Sequence, residues 1–234
     1  MMSSREHPMR DAVILIDKPR GWTSFDAVQK LKRMLGGTKV GHAGTLDPQA
    51  TGLLIVCTGS KTREVETFMG LEKEYLGTME LGVQTPSFDS ETDVTERRPF
   101  AHIVRADLEE AARALTGTLS QEPPMYSAVK YGGRPLYQYA RKGRTVARQA
   151  RTVDIKEFEI VSVSLPMVDF RVVCSKGTYI RSLVNDFGIR LECGATLRAL
   201  RRTRIGSMTV SQAQSFEQLE AMADDTSDRQ QQGI

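Results

Sequence analysis

Cysteine and histidine are scarce in this chain of 234 residues, which holds three of each. Cys57, Cys174 and Cys193 are widely spaced and make neither a CxxC pair nor a disulfide framework. That pattern suits a reducing compartment. His7, His42 and His102 lie far apart, which argues against a His-rich metal site. No Walker A or dinucleotide-binding glycine loop is present. No apolar run approaches the roughly 20 residues a membrane helix needs. The start of the chain, "MMSSREHPMRDAV", lacks the apolar stretch of a signal peptide. These absences leave a cytoplasmic, non-membrane protein as the expectation.

Enough apolar sequence remains for a substantial core: 40% of residues are hydrophobic and 26% charged, which suits one large globular domain or a domain with an appendage. A net charge of +3 decides nothing by itself. The distribution says more. "RKGRTVARQAR" (141–151) carries Arg141, Lys142, Arg144, Arg148 and Arg151 without an acid, and "LRALRRTR" (197–204) carries Arg198, Arg201, Arg202 and Arg204. The tail offsets them with Glu217, Glu220, Asp224, Asp225 and Asp228. Clustered arginine is the footprint of a polyanion partner. A solvated charged face explains it equally well.

The hydrophobic patterns predict a mixed α and β chain. "AVILID" (12–17) and "LLIVCTG" (53–59) read as buried strands. Residues 23–37 read as a helix, capped by Thr23 or Ser24, with an apolar stripe of Phe25, Val28, Leu31 and Leu35, and ended by Gly36–Gly37. Residues 61–69 suggest another helix. In 74–82, Tyr75, Gly77, Met79 and Leu81 share one face of a strand. The polar stretch 85–99 reads as a loop, and 105–117 as a helix ending before Gly117. Two successive strands flank Pro166, and Ile180, Leu183, Val184, Phe187 and Leu191 keep helical spacing. The terminal "DDTSDRQQQGI" has the composition of a disordered tail.

Residues 120–150 differ from their surroundings. Pro123, Pro124 and Pro135 break regular structure. Tyr126, Tyr131, Tyr137 and Tyr139 alternate with Lys130, Arg134 and Arg141. Aromatic faces beside cations suit bases and phosphates together, although an ordinary surface excursion would have the same composition.

The most specified stretch is "GHAGTLDPQATGLLIVCTG" (41–59), which holds one carboxylate, Asp47. An aspartate before proline is usually a cap or a turn residue. Here Pro48 restricts Asp47, and Gly41, Gly44 and Gly52 allow backbone conformations that other residues resist. Such a loop can present a carboxylate rigidly above a strand end, and a carboxylate can be a covalent nucleophile.

This stretch resembles the signature of the TruB family of RNA pseudouridine synthases, the bacterial tRNA pseudouridine-55 synthases. Further segments resemble the family in the same order: "LIDKPRGWTSFDAVQKLKR" (15–33), "KEY" (73–75), "PPMYSAVKYGGRPLYQYARKG" (123–143), "CSKGTYIRSLVNDFG" (174–188) and "LRRTRIG" (200–206). The resemblance covers residues 10–210. It implies an α+β pseudouridine synthase fold, with a mixed, mostly antiparallel central sheet and flanking helices and loops. It also implies conversion of uridine 55 in the T-loop of tRNA to pseudouridine, with no metal or organic cofactor.

The resemblance assigns roles residue by residue. Asp47 matches the catalytic aspartate. Tyr75 matches the tyrosine that stacks on the target base and helps remove the C5 proton. Arg181 matches the arginine that pairs with the aspartate and orients it. The uridine must leave its stack to be reached. His42 matches the histidine that fills the vacated space, and Tyr179 and Leu200 match residues lining the uracil pocket. Lys18 lies near the site by motif and could meet a phosphate. Lys130, Arg134, Arg141, Lys142, Arg144 and Arg202 are the expected RNA-backbone contacts.

The expectation is therefore a catalytic domain over 10–210, with 120–150 as an RNA-contacting insertion, followed by a short helix and tail over 211–234. Many members of the family carry a C-terminal PUA domain. Residues 207–234 are too few for another packed domain. The expected partner is the T-stem and loop of tRNA, with no membrane, no obligate protein partner and a monomeric state. Two other readings stay open: a non-catalytic RNA-binding or RNA-chaperone protein on the same fold, and a glycoside hydrolase. The hydrolase would normally need two placed carboxylates, and the motif supplies one.

Overall fold

A computed structural model describes residues 9–222 of the chain. In chain order the main elements are β1 (Val13–Lys18), α1 (Ser24–Met34), β2 (Val40–His42), β3 (Thr51–Thr58), α2 (Val65–Gly70) and β4 (Lys73–Leu81). They continue with α3 (Arg105–Ala114), β5 (Gly117–Gln121), α4 (Leu136–Ala140), β6 (Arg151–Ser164), β7 (Met167–Cys174), α5 (Ile180–Arg190) and β8 (Ala195–Ile205). The chain divides into two compact units. One takes residues up to Lys73 and from Arg201 onward, and the other takes Glu74–Leu200.

In the first unit β3 is the organising strand. β1 runs antiparallel to it, from Val13 opposite Cys57 to Lys18 opposite Gly52. β2 also pairs antiparallel, with His42 opposite Val56. The end of β8 pairs parallel, with Arg201 opposite Thr51 and Arg202 opposite Gly52. Alternation along β3 sends its side chains into two cores. Leu54 and Val56 join Ile14, Ile16, Ala27, Leu31, Leu35, Phe216 and Leu219. Leu53, Ile55 and Cys57 join Ala43 and Ile205, with Val65, Phe68 and Leu71 of the α2 region packed against them.

Helix α1 starts where the sequence predicts. Thr23 is its N-cap, and Asp26 returns the bond to complete a capping box. Its buried face differs from the expected stripe. Ser24, Ala27, Val28 and Leu31 are buried, whereas Phe25 is 64% exposed. Phe25 is the second residue of the helix, about 100° around it from Ser24, so burying Ser24 turns it outward. Each fully buried leucine of this face contributes about 2 kcal/mol, so Leu31→Ala would cost more than any change to the capping box.

In the second unit the strand order is β8, β4, β7, β6, β5. β6 and β7 form a hairpin around Leu165 and Pro166, from Ile155 opposite Cys174 to Ser164 opposite Met167. β5 adds to the other edge of β6, with Gln121 opposite Arg151. The predicted face of β4 is buried, including Tyr75, Met79 and Leu81. Gly77 has to be glycine there, since a Cβ would stand 2.4 Å from the ring of Phe170. The predicted stripe of α5 is also buried, with Phe187 against Phe158 at a ring-centroid distance of 5.4 Å.

β6 begins earlier than its apolar alternation predicts, because β5 supplies an edge for residues 151–155. The segment 61–69 splits into a 3-10 turn over Gly59–Glu64 followed by α2. All three cysteines are buried and none is in a disulfide, and burial raises the thiol pKa of Cys57 and Cys193. Among the described residues no helix is long and apolar enough to cross a membrane. The predicted disordered tail over 224–234 falls outside the described residues, while 216–222 is helical.

Candidate active site

Asp47 sits on the loop between β2 and β3, and the backbone of that loop is held from inside. Its carbonyls are the handle. Gly44 O and Thr45 O accept from Arg202 Nη2 and Nη1 at 3.1 and 3.3 Å. Ser24 Oγ accepts from Leu46 N at 2.8 Å and donates to Leu46 O at 3.2 Å. Ala50 N donates to Asp47 O at 3.1 Å, and Gly21 N to Pro48 O at 2.8 Å. Lys18 Nζ reaches Pro48 O at 3.5 Å. Every carbonyl from Gly44 to Pro48 thus has an internal donor. The Asp47 side chain remains half-buried at the loop's turn. Gly44 enters the loop with φ 105°, a conformation that favours glycine.

Two of these donors are buried cations. Lys18 occupies the third inward position of β1 after Ile14 and Ile16, and it is fully buried. Its ammonium also donates to Pro19 O at 2.9 Å and Trp22 O at 2.7 Å. Burial pulls its pKa from 10.5 down to about 8, with the Asp47 charge opposing and the Arg202 charge assisting. The expected phosphate contact at Lys18 is therefore corrected. Its donors are spent on backbone carbonyls within the core.

Arg202 needs the same correction. Only 1% of it is exposed, and its third bond runs from Nε to Leu53 O at 2.7 Å. It cannot meet an RNA phosphate in this arrangement. His42, on β2, is half-buried. Burial lowers its pKa first and the nearby Arg202 charge second, which favours a neutral imidazole.

In the second unit Arg181 lies in the first turn of α5 and is 3% exposed. Nη1 donates to Tyr126 O at 2.8 Å and Ser87 O at 3.3 Å. Nε stands 3.6 Å from Asp89 Oδ2. Asp89 is itself 7% exposed and is fixed by its surroundings. Its Oδ1 accepts from Glu91 N at 2.9 Å, and its carbonyl accepts from Thr85 Oγ1 at 2.7 Å. The intervening Phe88 has φ 63°, a strained conformation for a bulky residue that persists only in an over-determined loop.

Asp89, the buried carboxylate beside Arg181, is what sequence reasoning missed. Residues 85–99 read only as a polar loop. The signal was present in "TPSFDSETD" (85–93), where closely spaced Ser, Thr and Asp can bond their own backbone and make a rigid structure.

The remaining predicted residues fall as follows. Tyr75 is buried on β4. Tyr179 is the N-cap of α5, and Gln121 brackets it by accepting from its N–H at 2.8 Å and donating to its carbonyl at 3.1 Å. Leu200 is half-buried. Asp47, His42, Lys18 and Arg202 belong to the first unit, and Tyr75, Tyr179, Arg181 and Leu200 to the second.

The two basic segments part company. Lys130, Arg134, Lys142 and Arg144 are exposed. Arg141 is exposed too, lies 5.3 Å from the Tyr137 ring centre and pairs with Glu91 at 3.2 Å. Three arginines of "LRALRRTR" are instead neutralised by acids, and Arg202 is bound to backbone carbonyls. Arg198 meets Glu80, Arg201 meets Asp17 through both terminal nitrogens, and Arg204 meets Glu72. Among the described residues no cluster of three or more His, Cys, Asp or Glu could hold a metal ion.

Comparison with known proteins adds the following. A family model described as TruB family pseudouridylate synthase, N-terminal domain, matches residues 32–180. One described as tRNA pseudouridylate synthase B C-terminal domain matches residues 181–232. A tRNA pseudouridine synthase B of Flavobacterium johnsoniae is 46% identical over 215 residues, covering 89% of this chain and 94% of the relative. That of Ralstonia nicotianae is 46% identical over 226 residues, covering 94% of this chain and 72% of the relative.

Among solved structures, a chain of a Cbf5–Nop10–Gar1 complex superimposes with TM-score 0.72 at 29% identity. A chain of an H/ACA RNP bound to a substrate RNA containing 2′-deoxyuridine gives TM-score 0.70 at 26% identity. Each match covers 97% of this chain, and the chain spans 57% and 56% of those two longer chains.

Proposed function

The chain belongs to the TruB family of pseudouridylate synthases, and from that premise we propose that it isomerises uridine 55 in the T-loop of tRNA to pseudouridine. The C1′–N1 bond of the flipped nucleotide breaks, the uracil turns, and C1′–C5 forms. The C5 proton is lost and N1 gains one, so no redox partner is needed. Asp47 is the nucleophile of this reading, attacking either the ribosyl C1′ or the pyrimidine ring. Both routes require a carboxylate in one fixed place, because proximity and orientation supply much of the acceleration.

The other roles complete the scheme. Arg181 pairs with Asp47 and orients it. Asp89, Ser87 and Tyr126 hold Arg181 in turn. Tyr75 stacks on the uracil and takes part in removing the C5 proton. Tyr179 and Leu200 line the base pocket, and a neutral His42 fills the space the uridine leaves. Lys130, Arg134, Lys142 and Arg144 grip phosphates of the T-arm, with Arg141 joining once it leaves Glu91.

The observation that supports this reading most is the tethering of the Asp47 loop, where every carbonyl from Gly44 to Pro48 is held internally. An ordinary surface turn has no use for two buried cations beneath it. The test is pseudouridine mapping on transcript tRNA treated with the wild-type protein and with Asp47→Asn. The wild type should convert one T-loop uridine. The variant should bind tRNA within a few fold and convert none. Turnover by Asp47→Asn above about a thousandth of wild type would sink the assignment. A wild type that binds tRNA and leaves the uridine intact would favour the non-catalytic RNA-binding reading.

A further inference from the structure

Arg202 has the burial of a core leucine and the charge of a cation. A guanidinium at that depth is costly unless its donors are satisfied. All of its side-chain bonds end on backbone carbonyls. Nε is fixed to Leu53 O on β3, and the terminal nitrogens reach Gly44 O and Thr45 O in the loop. One rigid, planar group therefore spans a core strand and the segment leading into Asp47. A lysine ammonium, a point charge on a flexible stem, lacks the fixed planar fork that meets these three carbonyls together. On the far side of Asp47, Gly21 N and Lys18 Nζ hold Pro48 O. The nucleophile is suspended between two internal anchors.

We propose that Arg202 is a positioning residue of the reaction: it sets where the Asp47 carboxylate stands without touching the RNA. This rests on the reading of Asp47 as the nucleophile. An anchor of this kind acts on the chemical step and leaves substrate binding alone. The "LRRTR" arginine that sequence suggests for phosphate binding instead serves the carboxylate from beneath.

The experiment measures single-turnover rates and tRNA affinity for wild type, Arg202→Lys, Gly44→Ala, the double variant and Asp47→Asn. Gly44→Ala strains the backbone at φ 105° and turns the Gly44 carbonyl from its donor, while its Cβ meets only ordinary contact. Arg202→Lys should lower the rate by about a hundredfold, the scale of an ångström's misplacement, with tRNA affinity nearly unchanged. The double variant should be no slower than the slower single variant, because both cut the same tether.

A rate for Arg202→Lys near that of wild type, a loss that tracks weaker tRNA binding, or losses that multiply in the double variant would each overturn the proposal. Should Arg202→Lys fail to fold, a wild-type rate for Gly44→Ala would overturn it instead. An active Asp47→Asn would point to failure of the nucleophile reading. An inactive Asp47→Asn beside a fully active Arg202→Lys would point to failure of this inference alone.

Discussion

Gly52 and Arg202 face each other across parallel strands, so closely that a Cβ on Gly52 would stand 2.3 Å from the Arg202 carbonyl oxygen. This close approach sets Arg202 beside β3, and its guanidinium bonds Leu53 O of that strand and Gly44 O and Thr45 O of the Asp47 loop. Gly52 also has φ 101°, so a side chain there meets both strain and collision. Gly52→Ala should destabilise the fold by about 2 kcal/mol or more. It should also slow pseudouridine formation, through displacement of Arg202. Urea unfolding and single-turnover assays on one preparation would check both. A stable, fully active variant would mean that the strands can separate without cost.

Asp89→Asn keeps the shape of the carboxylate but removes its charge beside Arg181. The rate should fall by roughly 10–100-fold, or about 1.4–2.8 kcal/mol in the barrier, with tRNA affinity changed little. Asp89→Ala should be worse, since it also frees the Glu91 N–H held by Oδ1. Equal rates for the Asn variant and wild type would show that the charge of Asp89 plays no part.

The basic segments should separate in a salt titration. Lys142→Ala and Arg144→Ala remove exposed cations, and each should reduce the slope of log affinity against log salt by about 1. Arg201→Ala removes a cation already paired with Asp17, and it should leave that slope alone. A slope that responds to Arg201 and not to Lys142 or Arg144 would place the RNA contact on the wrong segment.

Lys18 makes a prediction about pH. Its folded pKa, about 8, lies below its usual value of 10.5. Between those values the unfolded chain binds the extra proton, so raising the pH through this window stabilises the fold. Lys18→Met lacks that contribution. The unfolding free energy of wild type relative to Lys18→Met should therefore rise between pH 8 and 10.5. Denaturant melts across that range would show it, and a flat or falling difference would contradict the assignment of the buried ammonium.

What was legible in the sequence depended on how local the cause was. The inward face of β4 and the stripe of α5 follow from periodicity, and the Thr23 cap follows from three neighbouring residues. Lys18 was half legible, since it occupies the next inward position after Ile14 and Ile16 on β1. The strand read over 12–17 stops one residue short of Lys18, so the motif alone points it toward a phosphate, whereas the observed strand includes it and turns it inward. Arg198, Arg201, Arg202 and Arg204 looked like a polyanion site because their partners lie far away in sequence, at Glu80, Asp17, the Asp47 loop and Glu72. No spacing rule carries that information. Asp89 was hidden for the same reason, since its importance arises from an arginine on α5.

The three buried thiols give the molecule an internal alarm for opening. Cys57 belongs to the first unit, and Cys174 and Cys193 to the second. A disulfide reagent can attack each only when its surroundings part, and burial already disfavours the reactive thiolate at Cys57 and Cys193. Modification rates followed one cysteine at a time would time the breathing of each half of the chain, with no introduced label. Added tRNA would then reveal which half it quiets.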